Sequence, residues 1–259
     1  MRSKTPWAAL VLAASLIVGC GESPEIPDNI ETEATITSPW TSSPEVSAMV
    51  TPRALYNGYP LLLSGGQASE QFFRFVNPAP APKLRFTLRG GTGDADLYVR
   101  EWAEPTRSVY DCASRGGTNT ENCEYSNVSD EVEYYVQVYG YSTFSNARLH
   151  AYYAKPFADG ESAIINGATS SREIWEVDIP PNQKHLLVTF KQDPGMTGQF
   201  NLYLRQNEAP ELPTADCSTA SDNGTVGCLI FNPAPGKAYI LIEGRTFYTT
   251  WLTVDVVPK

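Results

Sequence analysis

The chain of 259 residues has only two histidines, His150 and His185, and three methionines. The histidines do not form a His-Glu-x-x-His pattern, which excludes the helical zinc-hydrolase arrangement. No nucleophile with an adjacent base is visible, nor a metal with its ligands, and no catalytic function is expected. Close Cys-x-x-Cys pairs are missing among the five cysteines, which argues against a thiolate zinc site. Positive charge is scarce: 19 Lys and Arg stand against 29 Asp and Glu, for a formal net charge of -10 and a pI near 4.7. Nucleic acid and anionic membrane surfaces are therefore poor electrostatic partners, and steering favours cations. No stretch carries a convincing helical period. The glycine-rich run "GGTGDAD" from Gly90 lacks the Lys and Ser/Thr of a phosphate loop and leads into a strand pattern, not a helix.

The N-terminus does contain a long apolar run. Arg2 and Lys4 precede "AALVLAASLIV" from Ala8 to Val18, too short for the ~20 residues that span a bilayer and suited to a secretory signal. The sequence "IVGC" that follows resembles the bacterial lipobox, which implies cleavage after residue 19 and lipidation of Cys20. Acyl chains there anchor the protein at a membrane, each buried methylene contributing ~0.8 kcal/mol. Gly21 in place of Asp points to the outer membrane of a bacterial cell envelope. Up to Pro52 the chain then carries Glu22, Glu25, Asp28, Glu31, Glu33 and Glu45 with no Lys or Arg. Such a segment repels itself and buries little, so residues 20–52 are expected to be a flexible tether, with an edge strand at Glu33–Trp40 as the alternative.

The remainder is written twice. "LYNGYPLLLSGG" from Leu55 aligns with "FADGESAIINGA" from Phe157, and Leu84, Phe86 and Leu88 align with Leu186, Val188 and Phe190, all at an offset of 102. After an insertion of three residues in the second copy, "GDADLYVR" from Gly93 meets "GQFNLYLR" from Gly198. These coincidences imply tandem domains, 53–154 and 155–259. The apolar spacing of two, with frequent turn signals, predicts an all-β fold of two antiparallel β-sandwiches. Alternation points Val136 and Val138 inward and Tyr135, Gln137 and Tyr139 outward. His150, on "ARLHAYY", is expected to be a solvated edge residue.

Four cysteines allow three pairings. A domain copied whole carries its own bridge, so Cys112 pairs with Cys123 and Cys217 with Cys228, in an oxidising compartment. Each bridge is expected to pin an exposed hairpin loop.

The first copy resembles the bacterial pre-peptidase C-terminal (PPC) family through "SEQFFRF", "GGTGDADLYVR", "YDCASRGGTNTENC" and "EYYVQVYGYSTF". The second is a divergent relative whose "GMTGQFNLYLR" lacks both aspartates. The resemblance implies a β-sandwich appended to exported enzymes, sometimes linked to calcium or to binding of insoluble substrate. No peptidase sequence precedes the copies, which points to use outside a peptidase.

Two groups of residues are candidates for a site. Asp94 and Asp96, with Asp111, supply oxygens of the kind calcium takes; alternatively they accept backbone N–H bonds in a turn. Gln199 and Asn201 in the second copy keep the hydrogen bonding and drop the charge, which favours the turn and confines any calcium to the first copy. Tyr135, Tyr139, Tyr141 and Phe144, with Trp102, form the candidate ligand surface, since flat amphipathic rings stack on sugars or pack on protein. The expectation is a non-catalytic, envelope-anchored lipoprotein that binds an extracellular polysaccharide or protein through its first sandwich. The alternative is a structural lipoprotein that holds a secreted enzyme or envelope complex by protein contacts.

Overall fold

In the computed structural model, residues 51–77 and 80–259 are described. The signal segment 1–19, Cys20, the tether up to residue 50 and the alternative strand Glu33–Trp40 lie outside the described residues.

Every regular element among the described residues is a strand. The first sandwich comprises β1 (Arg53–Ala54), β2 (Leu61–Gly65), β3 (Glu70–Val76), β4 (Ala81–Arg89), β5 (Ala95–Glu101), β6 (Cys112–Ser114), β7 (Glu121–Val128), β8 (Glu133–Gly140) and β9 (Phe144–Tyr153). The second comprises β10 (Lys155–Pro156), β11 (Ser162–Gly167), β12 (Arg172–Ile179), β13 (Gln183–Lys191), β14 (Gln199–Gln206), β15 (Cys217–Asp222), β16 (Val226–Phe231), β17 (Gly236–Gly244) and β18 (Tyr248–Pro258). A five-stranded sheet in the order β1-β3-β8-β5-β6 faces a four-stranded sheet in the order β2-β9-β4-β7. The second sandwich repeats both orders, β10-β12-β17-β14-β15 and β11-β18-β13-β16. Pairing is antiparallel except for the short β1–β3 and β10–β12 contacts.

Alternation explains the cores. Leu84, Phe86 and Leu88 of β4 and Val136 and Val138 of β8 are fully buried between the sheets, as are Leu186, Val188 and Phe190 of β13. Phe75 meets Phe86 edge-on with ring centroids 5.8 Å apart, and Tyr134 packs on the same ring at 5.5 Å. The bridges Cys112–Cys123 and Cys217–Cys228 are both present. They do more than pin a hairpin: β6 and β7 lie in different sheets, as do β15 and β16, so each bridge ties the two layers of its sandwich together.

A third apolar cluster joins the sandwiches. Tyr152 and Ala154 of the first pack against Ile174, Ala209, Tyr239 and Leu241 of the second. This corrects the placement of His150. Its side chain does point away from its own core, but the second sandwich covers that face, leaving the residue 1% exposed. Its Nδ1 lies 3.7 Å from Glu211 Oε1, and its ring packs against Tyr152. Burial pushes Glu211 up, but the adjacent His150 and the charges of Arg148 and Arg205 outweigh it and hold this carboxyl below its usual range.

Candidate functional site: a cleft at one end of the first sandwich

The "GGTGDAD" turn connects β4 to β5, and its glycines serve close backbone packing. Gly91 and Gly93 both have positive φ, and a Cβ there would lie 2.0 Å from the Ser145 carbonyl oxygen of β9 and 2.1 Å from the Thr143 carbonyl oxygen of the β8–β9 turn, respectively. Two hydrogen bonds between Thr92 and Ser145 lock that approach. The disulfide loop holds the other side: buried Asn119 donates from Nδ2 to the carbonyls of Gly90 (2.9 Å) and Thr92 (3.1 Å). The two sequence motifs are thus parts of one construction, and they wall a cleft of about 640 Å³.

Its floor is the start of β5. Asp96 is 5% exposed and accepts a hydrogen bond from the Tyr98 hydroxyl at 3.2 Å. Burial raises Asp96 above the usual carboxylate range, and burial together with Asp96 raises the Tyr98 phenol to about 12. Asp94 keeps a buried Oδ1 with no hydrogen-bond partner among the described residues. Tyr139, opposite Asp96 on β8, and Tyr141 beyond it form the aromatic side. Arg107 and Arg115 close the cleft from the β5–β6 loop and the disulfide loop, with the Arg107 guanidinium 4.5 Å above the Tyr139 ring. Carboxylates, guanidinium groups and phenol rings therefore share one open space. Its chemistry suits recognition, with fixed groups of both signs beside stacking surfaces.

Not every expected residue is here. Asp111 sits near the far end of β5, where its Oδ2 accepts the Glu101 N–H at 2.7 Å; Asp216 accepts the Gln206 N–H in the same way at 2.8 Å. The aspartate of each Asp-Cys pair is thus a turn-former and does not join Asp94 and Asp96. Among the described residues no group of three or more His, Cys, Asp or Glu is placed to hold a metal. With two guanidinium groups facing the pair and Tyr98 bound to Asp96, the residues present do not fit calcium.

The aromatic series also divides. Phe144 is buried in the core, 1% exposed, and presents nothing to a ligand. Trp102, though exposed, donates its backbone N–H to the Glu133 carbonyl at the opposite end of the sheet. Tyr135 is also at that end, its hydroxyl donating to Glu133 Oε2 at 2.9 Å beside the Arg74–Glu133 ion pair. Only Tyr139 and Tyr141 reach the cleft, and Tyr141 is 64% exposed. The sequence reading missed Arg107 and Arg115. Their counterparts are Leu212 and Ala220, so comparing the copies would have flagged two arginines unique to the first, as it flagged the aspartates.

Residues 69–140 match the family model of the bacterial pre-peptidase C-terminal domain. The first sandwich carries a PPC domain. Its likeness extends to a zinc metalloprotease of Helicobacter pylori, 37% identical over 98 residues that make up 38% of each chain. A hemagglutinin/proteinase of Vibrio cholerae is 37% identical over 98 residues, 38% of this chain and 16% of the relative. The solution structure of vEP C-ter 100 is 35% identical, covering 39% of this chain and 99% of that one, with a TM-score of 0.34. This chain thus spans 38% and 16% of the two proteases' lengths. The PPC domain is a non-catalytic module of such proteases, and the shared segment is about the size of one sandwich.

Proposed function

We propose that this protein is a non-catalytic, envelope-anchored lipoprotein whose PPC domain binds an extracellular or envelope polymer in the cleft between Asp94/Asp96 and Arg107/Arg115. The supporting observation is the cleft itself. It gathers two carboxylates, two guanidinium groups and an exposed Tyr141 that core packing does not require. Groups of both signs beside tyrosine rings suit a polysaccharide or polypeptide that offers flat faces and mixed charge. The divergent second sandwich, with Gln199, Asn201, Glu243 and Arg245 at the corresponding places, acts as a spacer on the anchored chain. Occurrence of the module in exported proteases supports an extracellular or envelope location, as do two disulfides. It also supports a second reading, in which the partner polymer is an exported enzyme held by protein contacts.

The test is retention of the chain on insoluble chitin, cellulose, peptidoglycan and collagen. Retention on one of them is expected, and Tyr139→Ala/Tyr141→Ala should weaken it roughly tenfold or more with little change in stability. Retention that ignores those changes would move the site elsewhere. Retention on none would favour the enzyme-holding reading, to be pursued by crosslinking in the envelope.

A further inference from the structure

The two sandwiches are joined face to back. In the second, the outer surface of the five-stranded sheet is covered: Ile174, Glu176, Tyr239 and Leu241 are 1%, 7%, 4% and 0% exposed. The outer surface of the first sandwich's four-stranded sheet covers it, and there Arg85, Thr87, His150 and Tyr152 are 8%, 2%, 1% and 5% exposed. Arg85 reaches Glu176 Oε2 at 3.3 Å, and Tyr152 meets Tyr239 edge-on.

Because strand order is shared, each of these residues has a counterpart in the other sandwich. The cross-strand pairs Ile174–Leu241 and Glu176–Tyr239 correspond to Phe72–Gln137 and Arg74–Tyr135 on the first sandwich. The pairs Arg85–Tyr152 and Thr87–His150 correspond to Leu187–Asp255 and Thr189–Thr253 on the second. Leu187, Thr189, Thr253 and Asp255 are all only half-buried. Around them Ile164, Leu229 and Phe231 are 51%, 43% and 68% exposed. On the first sandwich Phe72, Arg74 and Tyr135 are half-buried, while Gln137 is already 2% exposed. Among the described residues the chain thus uses one complete joint in its middle, and no second sandwich covers the counterpart of either half at its ends.

We propose that the two unused halves meet between copies. The four-stranded sheet of one chain's second sandwich docks on the five-stranded sheet of the next chain's first sandwich, forming a heterologous head-to-tail assembly. Charge is partly complementary with the sides exchanged: Arg74, ion-paired with Glu133 in its own sandwich, takes the place of Glu176, and Asp255 stands on the opposing sheet where the first sandwich has Tyr152. The rim is less favourable. At the internal joint Arg172 lies 3.8 Å from the Tyr59 ring, whereas the counterparts Glu70 and Glu161 carry like charge. Association between chains is therefore weaker than the internal joint and depends on concentration. Arg107, whose counterpart Leu212 packs at the internal joint, is exposed and also lines the cleft, so a docked copy and a cleft ligand compete.

The experiment uses the whole chain with Cys20→Ser, to prevent acylation, in sedimentation velocity over a wide concentration range. Growth beyond dimer is expected. Thr189→Trp should weaken it roughly tenfold or more by overfilling the contact, with the unfolding midpoint confirming that the variant is folded. Orientation is read by preparing Arg74→Cys and Leu187→Cys chains separately and treating them with a bis-maleimide. The mixture should yield a mixed dimer that neither chain gives alone. Crosslinking of Leu187→Cys to itself would mean that the apolar faces pair symmetrically, and would overturn the proposal. A monomer at every concentration would overturn it equally.

Discussion

Replacing Arg85 tests whether a buried charge network holds the two sandwiches together. Its side chain is 10% exposed, and its guanidinium bonds Glu124 Oε2 at 2.9 Å within its own sandwich and Glu176 Oε2 at 3.3 Å across the joint. It also lies 5.9 Å and 5.8 Å from the ring centroids of Tyr152 and Tyr239. Removing one partner of a buried pair costs about 3–5 kcal/mol, because the other charge stays buried without compensation. Here the compensation is partial. Lys237 remains 3.0 Å from Glu176, and Glu124 keeps Lys83 at 2.7 Å. Arg85→Ala should therefore fall at the low end, about 3 kcal/mol, with some of the loss coming from the buried stem and the two cation–π contacts. Urea unfolding measures this directly, and the wild-type chain should unfold in one transition because the joint is shared. Arg85→Met/Glu176→Met removes both charges and keeps apolar volume, so it should recover much of the loss. A cost below about 1 kcal/mol for Arg85→Ala would refute this reasoning, since it would mean that water reaches the pair and screens it. So would a double variant less stable than either single one.

Phe144→Ala should cost about 3–5 kcal/mol in the same assay, because it empties a core site, whereas Tyr141→Ala should stay within about 0.5 kcal/mol. Asp96 has a raised folded pKa, so its charged form is a cost at neutral pH that disappears as pH falls through that value. Asp96→Asn, which keeps an acceptor for Tyr98, should raise the melting temperature near pH 7, and the gain should vanish in acid. Glu211 has the opposite sign: its contribution is present above the unfolded pKa and lost as pH falls through its depressed folded value. Glu211→Gln should therefore destabilise near neutrality and become silent in strong acid. Opening the Cys112–Cys123 bridge with Cys112→Ser/Cys123→Ser should cost roughly 3 kcal/mol or somewhat less, read from the denaturation midpoint.

What was legible in the chain was whatever a strand's own period encodes. Alternation assigned Leu84, Phe86, Leu88, Val136 and Val138 to the core correctly, because each strand has one buried face. Alternation would not have caught the burial of Phe144, chosen as a ligand-surface residue for its ring, and the reason is definable. The pairing of β2 with β9 shifts register between Leu63 and Gly65, so the parity set by Ala147 and Leu149 does not carry back to Phe144. The signal that would have found it is Tyr248, a buried aromatic at the matching place in the second copy.

Beyond the strands, the period says which side a residue faces and nothing about what lies there. Arg85, Thr87, His150 and Tyr152 face outward as alternation requires, yet they are buried because another sandwich sits on them. Leu187, Thr189, Thr253 and Asp255 occupy the same strand positions and are half-buried. The cleft follows the same logic: Arg115 lies in the disulfide loop that Asn119 ties to the glycine turn, and Arg107 in a loop closed by hydrogen bonds between Thr106 and Val109 and between Glu101 and Asp111. Equivalent positions with unequal burial are therefore the informative ones. Where the two sandwiches agree, the chain is maintaining a fold; where they differ, as at Arg107 and Leu212 or Arg74 and Glu176, the difference tracks which surface is already occupied and which still faces solvent.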